Sequence, residues 1–236
     1  MQDSNLYLVF TATQLMTGHV IRFCSGEKYS HVSVSLNADL FPVFSYARLY
    51  YSPAFYGGFT EESMYRYTRE TPLKVCSLPI PAGAAEKIQE EFTWRLENPG
   101  AYNFASLLTY PFHMQAQHDD SFTCTEFAYH LLKTYAPDLD LKDPPLVKGK
   151  QRGAVSLQQM QALADPYLVY EGTVGDFLDR RDDQVEQERL EAWARDHYLT
   201  KITWGEKWQR WKKTGGMIWS EMTYLMQWMR EGPQAR

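Results

Sequence analysis

Residues 122–132 read Phe-Thr-Cys-Thr-Glu-Phe-Ala-Tyr-His-Leu-Leu. The spacing Thr123-x-x-Glu126 is that of a capping box, and it stands directly before an amphipathic run of apolar residues. A helix is therefore predicted to begin here and to end before Pro137. Cys124 then lies in the first helical turn, where unpaired backbone N–H groups and the positive end of the helix dipole both favour a thiolate over a thiol.

A thiolate at this position is a candidate nucleophile. Cysteine hydrolases use such a thiolate, and the N–H groups at a helix start can also bind an oxyanion. The alternative for Cys124 is a small, buried residue that packs at the start of the helix. We interpret Cys24 and Cys76 as core or near-surface thiols. Three cysteines without a CxxC pair do not form a disulfide framework, which indicates a reducing compartment and predicts a cytoplasmic protein.

A thiolate nucleophile needs a base, and the chain has six histidines. His31 precedes a stretch in which valine alternates with serine, so we predict a half-buried strand with His31 on its polar face. His130 follows Cys124 on the same predicted helix, too far around and along that helix to reach the thiol. The residues alone leave the choice of base open, because a lone histidine is more often a surface or core residue.

The remaining patterns predict a mixed α+β chain. Strands are predicted at residues 6–10, 41–46, 73–78 and 167–170, and helices at residues 13–23, 81–98 and 102–109. Residues 53–59, which include two adjacent glycines, are predicted to form a loop. From residue 180 onward the pattern is helical, charged at first and rich in tryptophan later. We therefore predict one domain at residues 1–179 and a C-terminal helical extension at residues 180–236.

Composition excludes several classes of protein. Apolar residues make up 44% and charged residues 22% of the 236 residues, as in a globular protein. The net charge of −5, without a lysine or arginine cluster, argues against binding to nucleic acid. The longest apolar runs fall far short of the roughly 20 residues that a membrane span needs. We therefore expect no transmembrane segment, and the N-terminus lacks the features of a signal peptide.

Two further groups of residues have both a functional and a purely structural interpretation. In the extension, Trp204, Trp208 and Trp211 recur at helical spacing beside basic residues. Such a helix either packs on its own domain, the interpretation we prefer, or makes peripheral contact with a membrane or a partner. A second group lacks the spacing of a zinc site, so we interpret it as a solvated loop and expect no metal: His113, His118, Asp119 and Asp120.

Five segments, taken together, resemble a known family. They are Tyr-Ser-His-Val-Ser-Val-Ser-Leu (29–36), Val-Phe-Ser-Tyr-Ala-Arg (43–48), Tyr-Gly-Gly-Phe (56–59), Tyr-Asn-Phe-Ala-Ser-Leu-Leu (102–108) and the stretch at 122–132. The order resembles the circularly permuted papain-like amidases, which are relatives of the NlpC-type cell-wall peptidases and distant cousins of lecithin retinol acyltransferase. In the permuted group the histidine precedes the cysteine. The resemblance covers about residues 5–178, and the fold that it implies there is an antiparallel sheet packed on helices, to which the pattern after residue 180 adds the C-terminal helical appendage.

The resemblance also implies roles for single residues. Cys124 would be the nucleophile, and His31 the general base and later the acid. Tyr102 would help to bind the oxyanion, with packing on the core as the alternative. The position that orients the histidine falls at Ser45, whose lack of charge leaves open whether the site is a triad or a dyad. Arg48 is a candidate substrate-binding residue, with a surface or structural ion pair as its alternative.

These roles imply acyl transfer without a metal or a cofactor, by an amidase or peptidase that acts on a peptide, amide or acyl substrate. Two alternatives stay open. One is an acyltransferase or thioesterase that acts on lipids or acylated proteins. The other is a non-catalytic binding module that keeps the fold, which the uncharged Ser45 favours.

Overall fold

The computed structural model describes residues 4–12, 28–48, 57–104, 106, 121–139, 141, 146–147, 151–152 and 155–180, with single positions at 208, 212, 215, 216 and 219. Cys24, the predicted helix at 13–23 and the polar cluster at 113–120 lie outside these residues. The domain boundary after residue 179 therefore stays a prediction. Within the extension, Trp208 is 54% and Trp219 is 69% exposed, and the packing that we preferred for this segment stays a prediction.

Six strands form one sheet. Their spatial order is β10 (Leu168–Thr173), β5 (Pro72–Ile80), β1 (Ser4–Thr11), β2 (His31–Ser35), β3 (Val43–Arg48) and β4 (Gly57–Glu62). Each neighbouring pair is antiparallel. Two short pairs accompany the sheet: β6 (Ala101–Tyr102) runs parallel to β7 (Ser121–Phe122), and β8 (Leu146–Val147) runs antiparallel to β9 (Gln151–Arg152). The predicted α+β class with a mainly antiparallel sheet is confirmed.

The helices follow the local signals closely. They are α1 (Ala84–Glu97), α2 (Cys124–Tyr135), α3 (Leu157–Ala164) and α4 (Val174–Leu178), with 3₁₀ turns at Met64–Arg66 and Asp165–Tyr167. α1 begins later than Pro81 because its N-cap, Gly83, has a left-handed backbone with a φ of 78°. α2 ends before Pro137, as predicted. No helix among the described residues is both long enough and apolar enough to cross a membrane.

Both faces of the sheet are covered, which corrects the prediction for β2. One face packs against α1 and α2 around side chains that include Phe44, Phe92 and Phe127. The opposite face carries a second apolar cluster, which includes Val9 beside β2, Val43 of β3 and Val174 of α4. All five residues of β2 are consequently buried, whereas a half-buried strand was predicted. Its serines keep hydrogen bonds in the interior, as where the Ser35 hydroxyl donates to the Pro42 carbonyl at 2.8 Å.

Two other predictions are corrected. Gly57, Gly58 and Phe59 were predicted as part of a loop, but they belong to the edge strand β4 and pair with β3. Tyr102 was predicted to start a helix, but it lies in β6 opposite Phe122. Both errors arise because pairing with another strand decides these conformations, and the local sequence does not show that pairing. The predicted strands near residues 6–10, 41–46, 73–78 and 167–170 are confirmed with shifted bounds.

Candidate active site

Cys124 is the first residue of α2, as the capping box predicted. The Thr123 hydroxyl accepts a hydrogen bond from the Glu126 N–H at 3.3 Å, and the Glu126 carboxyl accepts one from the Thr123 N–H at 2.6 Å. Both halves of the capping box are therefore formed. Cys124 is only 8% exposed. Because α2 packs against β2 and β3, the helix start reaches the beginning of β2.

The surroundings of Cys124 favour its thiolate. Burial by itself raises the pKa of the thiol, since it disfavours the charged form. A hydrogen bond with the His31 side chain and the charge of that side chain outweigh this effect, and backbone N–H groups of Val32 and Thr125 add to it. The resulting pKa of Cys124 lies below its ordinary value. The structure thus brings the side chains of Cys124 and His31 into hydrogen-bonding contact.

The pairing of β2 makes room for this contact. β1 pairs with β2 along its full length, from His31 to Ser35. The registered pairing of β2 with β3, within the described strands, is confined to Val34 opposite Phe44. Since β3 does not continue the ladder toward His31, the N–H of Val32 is available to the sulfur of Cys124. The start of α2 enters where the two strands diverge.

Glu62 is a third residue of the candidate site, because it contacts His31. The sequence patterns did not point to it. His31 Nε2 lies 3.0 Å from Glu62 Oε2. The Ser33 hydroxyl donates to the same carboxylate oxygen at 2.7 Å and lies 3.1 Å from His31 Nε2. Glu62 is the last residue of β4 and has no solvent exposure. Because the His31 side chain also forms a hydrogen bond with Cys124, the imidazole contacts both the thiol and the Glu62 carboxylate.

The two remaining candidates, Ser45 and Arg48, both lie on β3. Ser45 is buried on β3 opposite Thr60, and its hydroxyl makes no hydrogen bond with any residue that the structure describes. Glu62 and Ser33, rather than the Ser45 that the resemblance implied, lie within hydrogen-bonding distance of His31. Arg48 ends β3 opposite Gly57. Its side chain lies outside the described atoms, so its substrate-binding role stays a prediction.

Tyr102 is buried beside the helix start. Its partner in β7, Phe122, precedes Cys124 by two residues. Burial, followed by the negative charges of Cys124 and Glu126, raises the pKa of the Tyr102 hydroxyl well above its ordinary value. The hydroxyl therefore keeps its proton and remains a hydrogen-bond donor. Tyr102 also packs on the Phe104 ring at 4.7 Å between centroids, so the core-packing role that we weighed for it is also present.

Other reactive side chains in the described ranges lie in separate environments. His130 Nε2 is 3.1 Å from Glu91 Oε1, which agrees with the prediction that His130 does not serve the thiol. Cys76 is buried in β5, and burial raises its pKa to about 11, as suits a core thiol. The described residues contain no group of three or more His, Cys, Asp or Glu side chains arranged to hold a metal ion.

Comparisons with protein-family models, with curated proteins and with solved structures find no match to this chain. Its chemistry must therefore be argued from the site itself. The arrangement brings together a thiol that can act as a nucleophile, Cys124, an imidazole that can act as a base, His31, and a carboxyl that can orient the base, Glu62. The helix start and Tyr102 supply hydrogen-bond donors. This set is sufficient for attack on a carbonyl carbon and for stabilising the negative charge that results.

Proposed function

We propose that the protein is a cysteine hydrolase that cleaves amide or peptide bonds through an acyl-enzyme on Cys124. One observation carries the proposal: His31 joins a thiol of lowered pKa to a fully buried carboxylate 3.0 Å from its Nε2. A nucleophile, a base and a carboxylate that orients the base form the arrangement of nucleophilic acyl transfer.

The proposed reaction begins with the attack of the Cys124 thiolate on the substrate carbonyl carbon. A C–S bond forms, and the carbonyl oxygen becomes an oxyanion that N–H groups at the start of α2 and the Tyr102 hydroxyl stabilise. Protonated His31 then gives its proton to the leaving nitrogen as the C–N bond breaks. Water, deprotonated by His31, attacks the thioester. The carboxylic product leaves, and the thiolate is restored.

The proposal includes the permuted papain-like fold and a reducing compartment. The order of His31 before Cys124, with the cysteine on a helix that packs against an antiparallel sheet, supports the fold. Cys76 and Cys124 are both free thiols, which supports a reducing environment such as the cytoplasm. An uncharged residue beside His31 would have favoured a non-catalytic module. Glu62 supplies the charge that Ser45 lacks, and we therefore favour the enzyme.

Acylation by an activated ester tests this function without knowledge of the natural substrate. With p-nitrophenyl acetate, we expect a burst of nitrophenolate equal to the enzyme concentration and an acetyl group on the peptide that contains Cys124. Cys124→Ser should abolish the burst. The matched variant Cys76→Ser should keep it, because Cys76 lies in the core of the sheet. Acetylation that is absent, or equal at Cys76 and Cys124, would count against the proposal.

A further inference from the structure

We propose that Arg66 is a positioning residue of the candidate site, which keeps the Glu62 carboxyl ionised and aims it at His31. This inference rests on the proposed function, since it assigns a role within the same set of side chains. Arg66 has no place in the resemblance on which the roles of Cys124 and His31 were first based. Its assignment comes from the turn that follows β4.

The chain reverses directly after Glu62 and brings Arg66 back onto it. Ser63 caps the 3₁₀ turn Met64–Arg66: its hydroxyl accepts from the Tyr65 N–H at 3.3 Å and its carbonyl from the Arg66 N–H at 3.1 Å. Arg66 Nη1 then forms an ion pair with Glu62 Oε1. The side chain of Arg66 is 5% exposed and that of Glu62 is wholly buried. The pair is thus removed from solvent screening.

The two oxygens of Glu62 serve different partners. Oε1 meets the guanidinium of Arg66, whereas Oε2 faces His31 at 3.0 Å and accepts from Ser33 at 2.7 Å. An arginine on one oxygen fixes the rotation of the carboxylate, so the other oxygen is directed at the imidazole. The guanidinium carbon also lies 5.4 Å from the centroid of the Tyr67 ring, which holds Arg66 in place.

The charge of Arg66 decides where the shared proton resides. A buried carboxylate whose only cationic partner is histidine has a neutral alternative, a carboxylic acid beside a neutral imidazole, because burial penalises both charges. A guanidinium stays protonated, and its contact favours the carboxylate form of Glu62. The proton is then held on His31, where it stabilises the Cys124 thiolate. Thiolate, imidazolium, carboxylate and guanidinium alternate in sign along the site.

The other groups around Glu62 do not supply this charge. On β2, the side chains of His31 and Ser33 contact the Glu62 carboxylate. Cys124 of α2 contacts His31 in turn. The neighbouring carboxyl of Glu61 lies opposite Phe44, on the other face of β4, as the alternation of a strand requires. Among the described residues that contact Glu62, Arg66 is the permanent cation.

The pH profile of Cys124 alkylation by iodoacetamide, measured on the full chain, tests the inference. The acid limb of the profile is the pH range over which alkylation slows as the pH falls. In Arg66→Met we expect this limb to shift to higher pH by about one unit, because loss of a buried positive charge makes the site bind protons more tightly. Alkylation within that limb should slow about tenfold. Arg66→Lys should stay close to the wild type. Arg69→Met, which removes an exposed ion pair with Asp179, should leave the profile unchanged.

A double-mutant cycle and a measurement on the wild type complete the test. If Arg66 acts through Glu62, adding Arg66→Met to Glu62→Gln should move the limb less than adding it to the wild type. The double variant removes both charges of the buried Arg66–Glu62 pair, so neither is left without its partner. It is therefore expected to fold even if Arg66→Met alone does not. In the wild-type protein, the carboxyl ¹³C shift of Glu62 should have its ionised value at neutral pH.

An unmoved acid limb in folded Arg66→Met, equal shifts in both backgrounds, or a protonated Glu62 at neutral pH would each overturn the role of Arg66. Those results leave the proposed function intact as long as wild-type Cys124 reacts well below pH 7. If wild-type Cys124 reacts as an ordinary thiol, the proposed function fails and the role of Arg66 falls with it.

Discussion

His31 Nε2 lies 3.0 Å from Glu62 Oε2, across a strand that separates them in the sheet. The intervening strand, β3, places Ser45 on the same face between them, since Ser45 lies opposite Thr60 and Val43 opposite Glu62. Neighbouring strands lie about 4.8 Å apart, so His31 on β2 and Glu62 on β4 reach each other by crossing above β3. The residue of β3 beneath that contact has to be small. Ser45 therefore has a clear structural role as a spacer under the contact.

Replacement of Glu62 by glutamine should slow acylation of Cys124 by roughly a hundredfold or more, because an amide neither stabilises imidazolium nor fixes the tautomer of His31. The burst with p-nitrophenyl acetate provides the rate. Glu61→Gln is the matched control: the same change at the next residue, on the opposite face of β4, should leave the rate unaltered. Equal rates in Glu62→Gln and Glu61→Gln would remove Glu62 from the site.

The spacer role of Ser45 predicts a dependence on size. Ser45→Ala keeps a small side chain and loses no hydrogen bond within the described structure, so stability and acylation should stay near wild type. Ser45→Leu should separate His31 from Glu62 and cost about 1–3 kcal/mol of stability through overpacking. Urea denaturation and the ester burst measure the two effects. A large loss of acylation in a folded Ser45→Ala would instead support the direct role that the sequence suggested.

The capping box gives a third prediction. Thr123→Ala removes the acceptor for the Glu126 N–H, and it should lower the free energy of unfolding by about 1 kcal/mol and slow Cys124 alkylation. Ser156 caps α3 through the same kind of box, so Ser156→Ala should cost a similar amount of stability without changing the alkylation rate. Equal alkylation rates in the two variants would show that the cap serves stability alone.

These features differ in how far the sequence could predict them. The Thr123 to Glu126 box is a local signal, and it placed Cys124 at a helix start correctly. Glu62 was missed because its contact with His31 depends on the registers of two strand pairs, and a separation of 31 residues carries no such information. The adjacent Gly57 and Gly58 suggested a loop, whereas pairing with β3 makes them an edge strand.

Burial also depends on distant parts of the chain. The alternation of valine and serine in β2 correctly gave two chemically different faces. It could not show that this polar face is also covered, by a second apolar cluster that includes Val9, the residue opposite Ser33. A polar face that is buried rather than solvated is what removes the His31–Glu62 pair from water, and that property follows from the tertiary fold.

A fourth prediction concerns acid stability at the contact between α1 and α2. Burial raises the pKa of Glu91, but bonds from His130, Tyr135 and Arg95 outweigh it and hold that pKa at about 2. Because this pKa lies below its ordinary value of 4.5, the stabilisation is complete above pH 4.5 and is lost as the pH falls toward 2. Glu91→Gln should therefore lose less stability than wild type between pH 6 and pH 3, as measured by urea midpoints.

Glu90, exposed on the same helix, offers the control for this acid effect. Glu90→Gln should keep the wild-type pH dependence of the urea midpoint. Parallel curves for the wild type and Glu91→Gln would mean that the Glu91 cluster contributes nothing to acid stability, despite the 2.6 Å contact between Arg95 and Glu91.

The central claim is that Cys124 and His31 form a thiolate–imidazolium pair. The most direct measurement is the pH dependence of iodoacetamide alkylation at each cysteine, determined by peptide mass spectrometry for the wild type and His31→Ala. We predict that Cys124 reacts rapidly well below pH 7, that Cys76 does not, and that His31→Ala moves the Cys124 midpoint up toward the roughly 8.5 of an ordinary thiol. A wild-type Cys124 that already titrates as an ordinary thiol, or a profile unchanged in His31→Ala, would contradict the account.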